Sequence, residues 1–180
     1  MKITEVEVFL LTAPAEARPH WVSHFVVPTA NDMLVRLRTD EGLDGFGLAS
    51  SNTHLDAAAR MFAEGYAELI VGADALAPER FYETLFALTW QRRAQEKGWS
   101  RASLVLASAA VDIAAWDLVG GPPAGLILES FTDPERDPLQ AELFENPPAI
   151  ENGVMRLTED AWLGLTLSQA AMEKYAKRIA

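Results

Sequence analysis

The stretch Arg101–Gly121, RASLVLASAAVDIAAWDLVGG, constrains the fold more than any other part of the chain. From Leu104 to Val119 its only polar side chains are Ser108, Asp112 and Asp117. As a helix it is apolar almost all the way round, and such a helix must be covered on nearly every side. Ser100 stands where an N-cap is needed, and Gly120-Gly121 stands where a helix stops. Its alanine-rich surface lets neighbours approach closely. The rest of the chain has to supply the cover.

Upstream, Glu5-Val6-Glu7-Val8 alternates and runs into Phe9-Leu10-Leu11, which reads as a strand with one face inward. Ala13 to Ala30 contains Pro14, Pro19 and Pro28 and reads as a loop carrying His20, Trp21, His24 and Phe25. Met33 to Thr39 is a second strand, with Val35 and Leu37 alternating against Arg36 and Arg38. Asp40-Glu41-Gly42 has turn chemistry and Leu43 to Leu48 returns as a third strand, giving an antiparallel meander. Three helices follow. The first starts at Thr53 with Asp56 three positions on, places Leu55, Phe62, Tyr66, Leu69 and Ile70 on one face, and ends at Gly72. Pro78 opens the second, with Phe81, Leu85 and Leu88 inward; the third is Arg101–Gly121. A sheet followed by helices predicts an α+β domain, a three-stranded antiparallel meander and then a helical bundle.

Beyond Gly120 to Gly125, Leu126 to Glu129 reads as a short strand, and Asp133-Pro134 and Asp137-Pro138 break the chain. Ala149 to Leu157, around Glu151-Asn152-Gly153, is a hairpin signal, because Asn-Gly suits a type I′ turn. Ser168 caps a last helix on which Met172, Tyr175 and Ile179 share a face.

The run Ala109-Ala110-Val111-Asp112-Ile113-Ala114-Ala115-Trp116-Asp117-Leu118 closely resembles the helix that ends the N-terminal capping domain of the enolase superfamily, in its mandelate racemase and muconate lactonizing enzyme branch. Thr39 to Gly47 is similar to the hairpin of that cap, although Leu48 stands where many relatives have an acidic residue. The family continues into a (β/α) barrel that holds Mg²⁺ and the catalytic bases, whereas here Gly120-Gly121-Pro122-Pro123-Ala124-Gly125 leads to a segment resembling the tail after the barrel. That tail departs from its relatives at Ala161-Trp162-Leu163-Gly164, where a Pro-Gly dipeptide is usual. A barrel takes about 250 residues, and the whole chain has 180. The resemblance thus implies one capping domain over residues 1–180, built from 1–119 and 126–180 and joined by a linker at 120–125, with the barrel deleted by construction or by nature. It implies that the chain does not catalyse the parent reaction. In the parent, His20, Trp21, His24 and Phe25, with Ser50, Ser51 and His54, would meet the substrate.

Chemistry read from the residues agrees. Asp112 and Asp117 are five positions apart, about 140° around a helix, so they diverge rather than chelate. They are read as structural, as is Glu129, which resembles an acid at the exit of the last barrel strand. Three histidines, His20, His24 and His54, are spread over two loops and make a poor zinc set. Lys174 and Lys177 read as a solvated pair on the last helix. Gly42, Gly45 and Gly47 lack the spacing of a phosphate loop, and Ser103, Ser108 and Ser168 lack an elbow motif. No cysteine is present, so no thiol chemistry is available and a reducing cytoplasm suits the chain. A formal charge of -11 excludes nucleic acid and anionic membranes as expected partners. Two rival readings stand beside the cap: a retained Mg²⁺-dependent racemase or dehydratase acting through an enolate, and a self-associating module. The second follows because removing a barrel exposes the surface it covered. It predicts a homodimer through the organising helix and the region of Trp162.

Overall fold

The computed structural model describes residues 1–13, 20–21, 24, 26–27, 31–51, 54–120, 135, 137–147, 149–152, 154–155 and 164–180. Three long strands, β1 (Ile3–Thr12), β4 (Asn31–Thr39) and β5 (Asp44–Ser50), form the expected antiparallel meander. Two short strands, β2 (His20–Trp21) and β3 (Val26–Val27), pair with each other within the stretch read as loop. The β4–β5 turn is closed by Gly42, whose φ of 79° is open to glycine.

The helices are α1 (Leu55–Met61), α2 (Pro78–Ala87), α3 (Arg92–Glu96) and α4 (Arg101–Leu118). Ser100 caps α4 as its sequence demands, its hydroxyl accepting from the Ser103 N–H at 3.1 Å. The first helix is not continuous. After α1 the chain passes through a wide turn at Phe62–Tyr66 and a tight one at Ala67–Leu69, with Gly65 at φ 111°. The glycine breaks the α geometry while Phe62, Tyr66 and Ile70 still reach the core. Thr53 lies outside the described residues, and His54 occupies the N-cap position without a side-chain cap.

Helix α4 lies on the sheet, and glycines make that possible. A Cβ at Gly47 would stand 1.9 Å from the Ala110 carbonyl oxygen, and one at Gly45 would stand 2.3 Å from that of Ala114. Asp117 fastens the contact: its Oδ2 accepts the Phe46 N–H at 2.9 Å. Around this layer gather Val8, Met33, Val35, Leu37, Phe62, Tyr66, Leu85 and Leu104, all buried. Within it the Tyr66 and Ser108 hydroxyls are bonded at 2.8 Å. The expectation of cover on nearly every side needs correction, however. Ala102, Val105, Ala109 and Ile113 are exposed on one flank of α4.

The C-terminal segment returns to the first half through its described residues Leu139, Leu143, Ala171 and Tyr175 and a last strand. It supplies α5 (Pro138–Glu142), the hairpin β6 (Ile150–Glu151) and β7 (Val154–Met155), and α6 (Gln169–Tyr175). Asn152 takes φ 52° in the hairpin turn, as the Asn-Gly reading requires. Asp137-Pro138 starts a helix instead of merely breaking the chain, because the Asp137 carboxylate accepts from the Gln140 N–H at 3.0 Å and Pro138 sits in the first turn. The last helix is shorter than its apolar spacing predicts. It stops at Tyr175, and β8 (Ala176–Arg178) pairs antiparallel with β1, giving the order β5-β4-β1-β8. The open hydrogen-bonding edge of β1 outweighs helical propensity there, and the Ile179 N–H donates to the Val8 carbonyl at 2.7 Å. Lys174 and Lys177 therefore belong to different elements; both are exposed, and Lys174 forms a surface pair with Glu142 at 2.8 Å.

The sheet face away from α4 has two parts. Leu11 and Leu34 form a second core with Leu139, Leu143, Ala171 and Tyr175 of the tail. Next to it, Glu7 is buried and meets Arg36 at 3.3 Å and Arg178 at 2.8 Å; Arg36 also pairs with Asp44. This charged ladder crosses all four strands.

Candidate functional site at the loop end of the sheet

The residues expected to face a substrate stem from one end of the sheet, where β1 and β5 finish and β4 begins. Ser50 ends β5 and lies directly across from Asp32 on β4. Its hydroxyl donates to the Asp32 carboxylate. Burial, and then the negative charge of Asp137 from the tail, push the Asp32 carboxyl above its ordinary range, while the Ser50 hydrogen bond pulls the other way. Ser51 lines a polar cleft of about 210 Å³ with Thr12, Asn31, Leu55 and Asp56.

Among the described residues, Ser51 and His54 line different clefts. His54, though only three positions beyond Ser51, lines a different cleft of about 350 Å³ with Arg60, Lys97, Trp99 and Ser103 at the start of α4. His20 and Trp21 belong to β2, paired with Val27 and Val26. His24 is exposed, and Phe25 lies outside the described residues. Sequence reasoning missed Asn31, Asp32 and Asp137. Asp32 precedes an apolar strand and reads as an ordinary strand start. The influence of Asp137 on it depends on the tail returning to the sheet, which no local pattern encodes.

Whether the family's Mg²⁺ fits can be tested on the donor set. Among the described residues no three His, Cys, Asp or Glu side chains are placed to hold a cation together. Asp117 is occupied by the Phe46 N–H, and Asp112 points elsewhere, with a buried Oδ1 that has no hydrogen-bond partner and a carboxyl raised by burial. Glu129 lies outside the described residues. The described donors do not fit the ion.

A family model described as the mandelate racemase/muconate lactonizing enzyme N-terminal domain matches residues 5–123. The chain belongs to this family. Its three-stranded meander and following helices are the enolase-superfamily N-terminal domain. Among similar proteins, a "D-galactonate dehydratase family member" of Pseudarthrobacter chlorophenolicus is 34% identical over 94 residues, covering 52% of this chain and 21% of that protein. A crystal structure of a mandelate racemase/muconate lactonizing enzyme superposes with a TM-score of 0.56 at 28% identity, over 66% of this chain and 31% of that one. An enolase-superfamily member from Agrobacterium tumefaciens gives a TM-score of 0.51 at 28% identity, over 66% and 34%. The chain thus spans about a fifth of the curated relative and about a third of each crystal structure. Every strand pairing among the described residues is antiparallel, so no part of a parallel barrel appears in them. No described helix is long and apolar enough to cross a membrane.

Proposed function

We propose that this chain is a capping domain separated from its barrel, and that it does not carry out the proton chemistry of its enolase-superfamily relatives. The observation that carries the reading is the return of the tail. Residues 164–180 add a strand to β1 and a helix to the second core, which supports reading the two ends of the chain as parts of one domain. In an intact relative the same loop end of the sheet would cover the active site and shape substrate selection through Ser50, Ser51, His54 and the segment from His20 to Phe25. Here the Ser50 hydroxyl is held by the Asp32 carboxylate, and Ser51 and His54 open onto different clefts.

The test uses the chain itself. Incubated with Mg²⁺ and mandelate or D-galactonate in D₂O, it should exchange no α-proton above the rate without protein, as followed by proton NMR. Exchange or dehydration that saturates with substrate would overturn the reading and favour the rival, a Mg²⁺-dependent racemase or dehydratase. Calorimetric titration with Mg²⁺ should likewise give no binding isotherm.

A further inference from the structure

The geometry points to a second binding site: the cleft between α1 and the start of α4 takes a small carboxylic acid with an apolar body, held by Arg60 and His54. Binding here is separate from the cleft at Ser51 and requires no catalysis. The cleft, of about 350 Å³, falls within the usual size of small-molecule sites, roughly 300–1,000 Å³. One wall is a single face of α1 and the turn after it. His54, Ala57, Met61 and Glu64 recur there every three or four positions, with Arg60 beside Met61. The other wall is the chain that enters α4, from Lys97 to Ser103. Met61 and Trp99, both buried, give the cleft an apolar base.

Most polar groups of the cleft are already engaged. The Glu64 carboxylate accepts the Trp99 Nε1–H at 2.8 Å, while Lys97 Nζ donates to the Glu64 carbonyl and lies 5.2 Å from the Trp99 ring centroid. Ser100 Oγ accepts the Ser103 N–H, so α4 is capped by its own chain and its end is not the anchor. The side chains of Arg60 and His54 are left over. Both are exposed, and among the described residues neither has a hydrogen bond, an ion pair or a ring contact. For Arg60 the surroundings make this informative, because Asp56 and Glu64 stand four positions away on either side, the spacing at which helical ion pairs form. Glu64 is turned onto Trp99, and Asp56 lines the cleft at Ser51 instead. Elsewhere Arg36, Arg38, Arg92 and Arg178 each find a carboxylate. In a chain of charge -11, a cleft whose cations, Arg60 and Lys97, outnumber its one carboxylate is a place that draws an anion. A guanidinium fork matches a carboxylate through two parallel N–H donors, which selects that group over a spherical ion. The apolar body then covers Met61 and the Trp99 edge.

The probe is benzoate, with benzamide and inorganic phosphate for comparison, titrated into the full chain. Calorimetry should give a saturable isotherm for benzoate at millimolar concentration. In the NMR spectrum the chain has five indole N–H signals, and that of Trp99 should move most. Benzamide, which keeps the body and lacks the charge, and phosphate, which keeps the charge and lacks the body, should each bind at least tenfold more weakly. Arg60→Gln should weaken benzoate binding about tenfold or more, the usual effect of losing a hydrogen bond to a charged group, with an unchanged circular dichroism spectrum. Arg80→Gln, at an exposed arginine on α2, should leave binding as it was. No isotherm with benzoate overturns the proposal. So does benzamide binding as well as benzoate, which would remove the anion from recognition, or phosphate doing so, which would leave only surface charge. Equal losses in Arg60→Gln and Arg80→Gln would place the effect in net charge and overturn it as well.

Discussion

Gly47 shows how closely a single position can be determined by its neighbour. With the Ala110 carbonyl 1.9 Å from where its Cβ would stand and the Ala114 nitrogen at 2.7 Å, the obstacle is helix backbone, which cannot rotate away. Gly47→Ala should therefore lift α4 off the sheet and cost roughly 3 kcal/mol or more, at the top of the range for overpacking, as measured by urea unfolding. Asp32 makes a different prediction. Because its carboxyl is raised above the ordinary aspartate value of 3.8, the folded chain holds that proton more tightly than the unfolded one. Its contribution to stability is complete at low pH and is lost as pH rises from the ordinary value through the raised one. Asp32→Asn keeps a partner for Ser50 and removes the charge. It should raise the unfolding midpoint at pH 7, with the advantage vanishing near pH 3. A midpoint that shifts equally at both pH values would show that the charge is not what matters. The sequence placed Gly45 and Gly47 within the third strand; that they serve as clearance for a helix more than sixty positions away was not legible, because close approach is a property of two surfaces.

Among the elements, the β4–β5 hairpin and α4 were legible nearly residue by residue. Alternation in Val35–Arg38 and the cap-to-glycine span from Ser100 to Gly120 leave little choice of period. The tail was less so. Met172, Tyr175 and Ile179 have helical spacing, yet only Met172 and Tyr175 are on a helix, and Ile179 follows a strand. The deciding influence is an unpaired strand edge, which a local periodicity does not see. Tyr175 anchors this element: it is buried in the second core, and its hydroxyl donates to Glu142 at 2.8 Å, joining α6 to α5. Tyr175→Ala should cost about 3 kcal/mol, the usual figure for deleting a buried aromatic ring. Its amide exchange should show β8 released from β1. Retained protection at Ile179 would mean that strand pairing alone holds the tail.

At the scale of the whole molecule, the two segments are predicted to unfold together. The sheet shares strands from both, and the charged ladder through Glu7 binds β1 and β4 to Arg178 of β8. Circular dichroism and tryptophan fluorescence should therefore trace one coincident urea transition; two separated transitions would mean that the tail is an independent unit. The candidate site lies between these scales. Ser50, Ser51 and His54 could be chosen from the chain by resemblance, but their division between two clefts could not, since the direction each side chain takes depends on how α1 leaves the sheet. By itself the sequence determined the meander, the buried helix and the family, because each rests on periodicity, caps and turn chemistry that act over a few residues. Only the tertiary structure decided that the tail becomes a fourth strand, that the charge of Asp137 is felt at Asp32, and that one flank of α4 stays bare. Those outcomes depend on which surfaces meet, and contacts between residues far apart in the chain leave no local pattern behind.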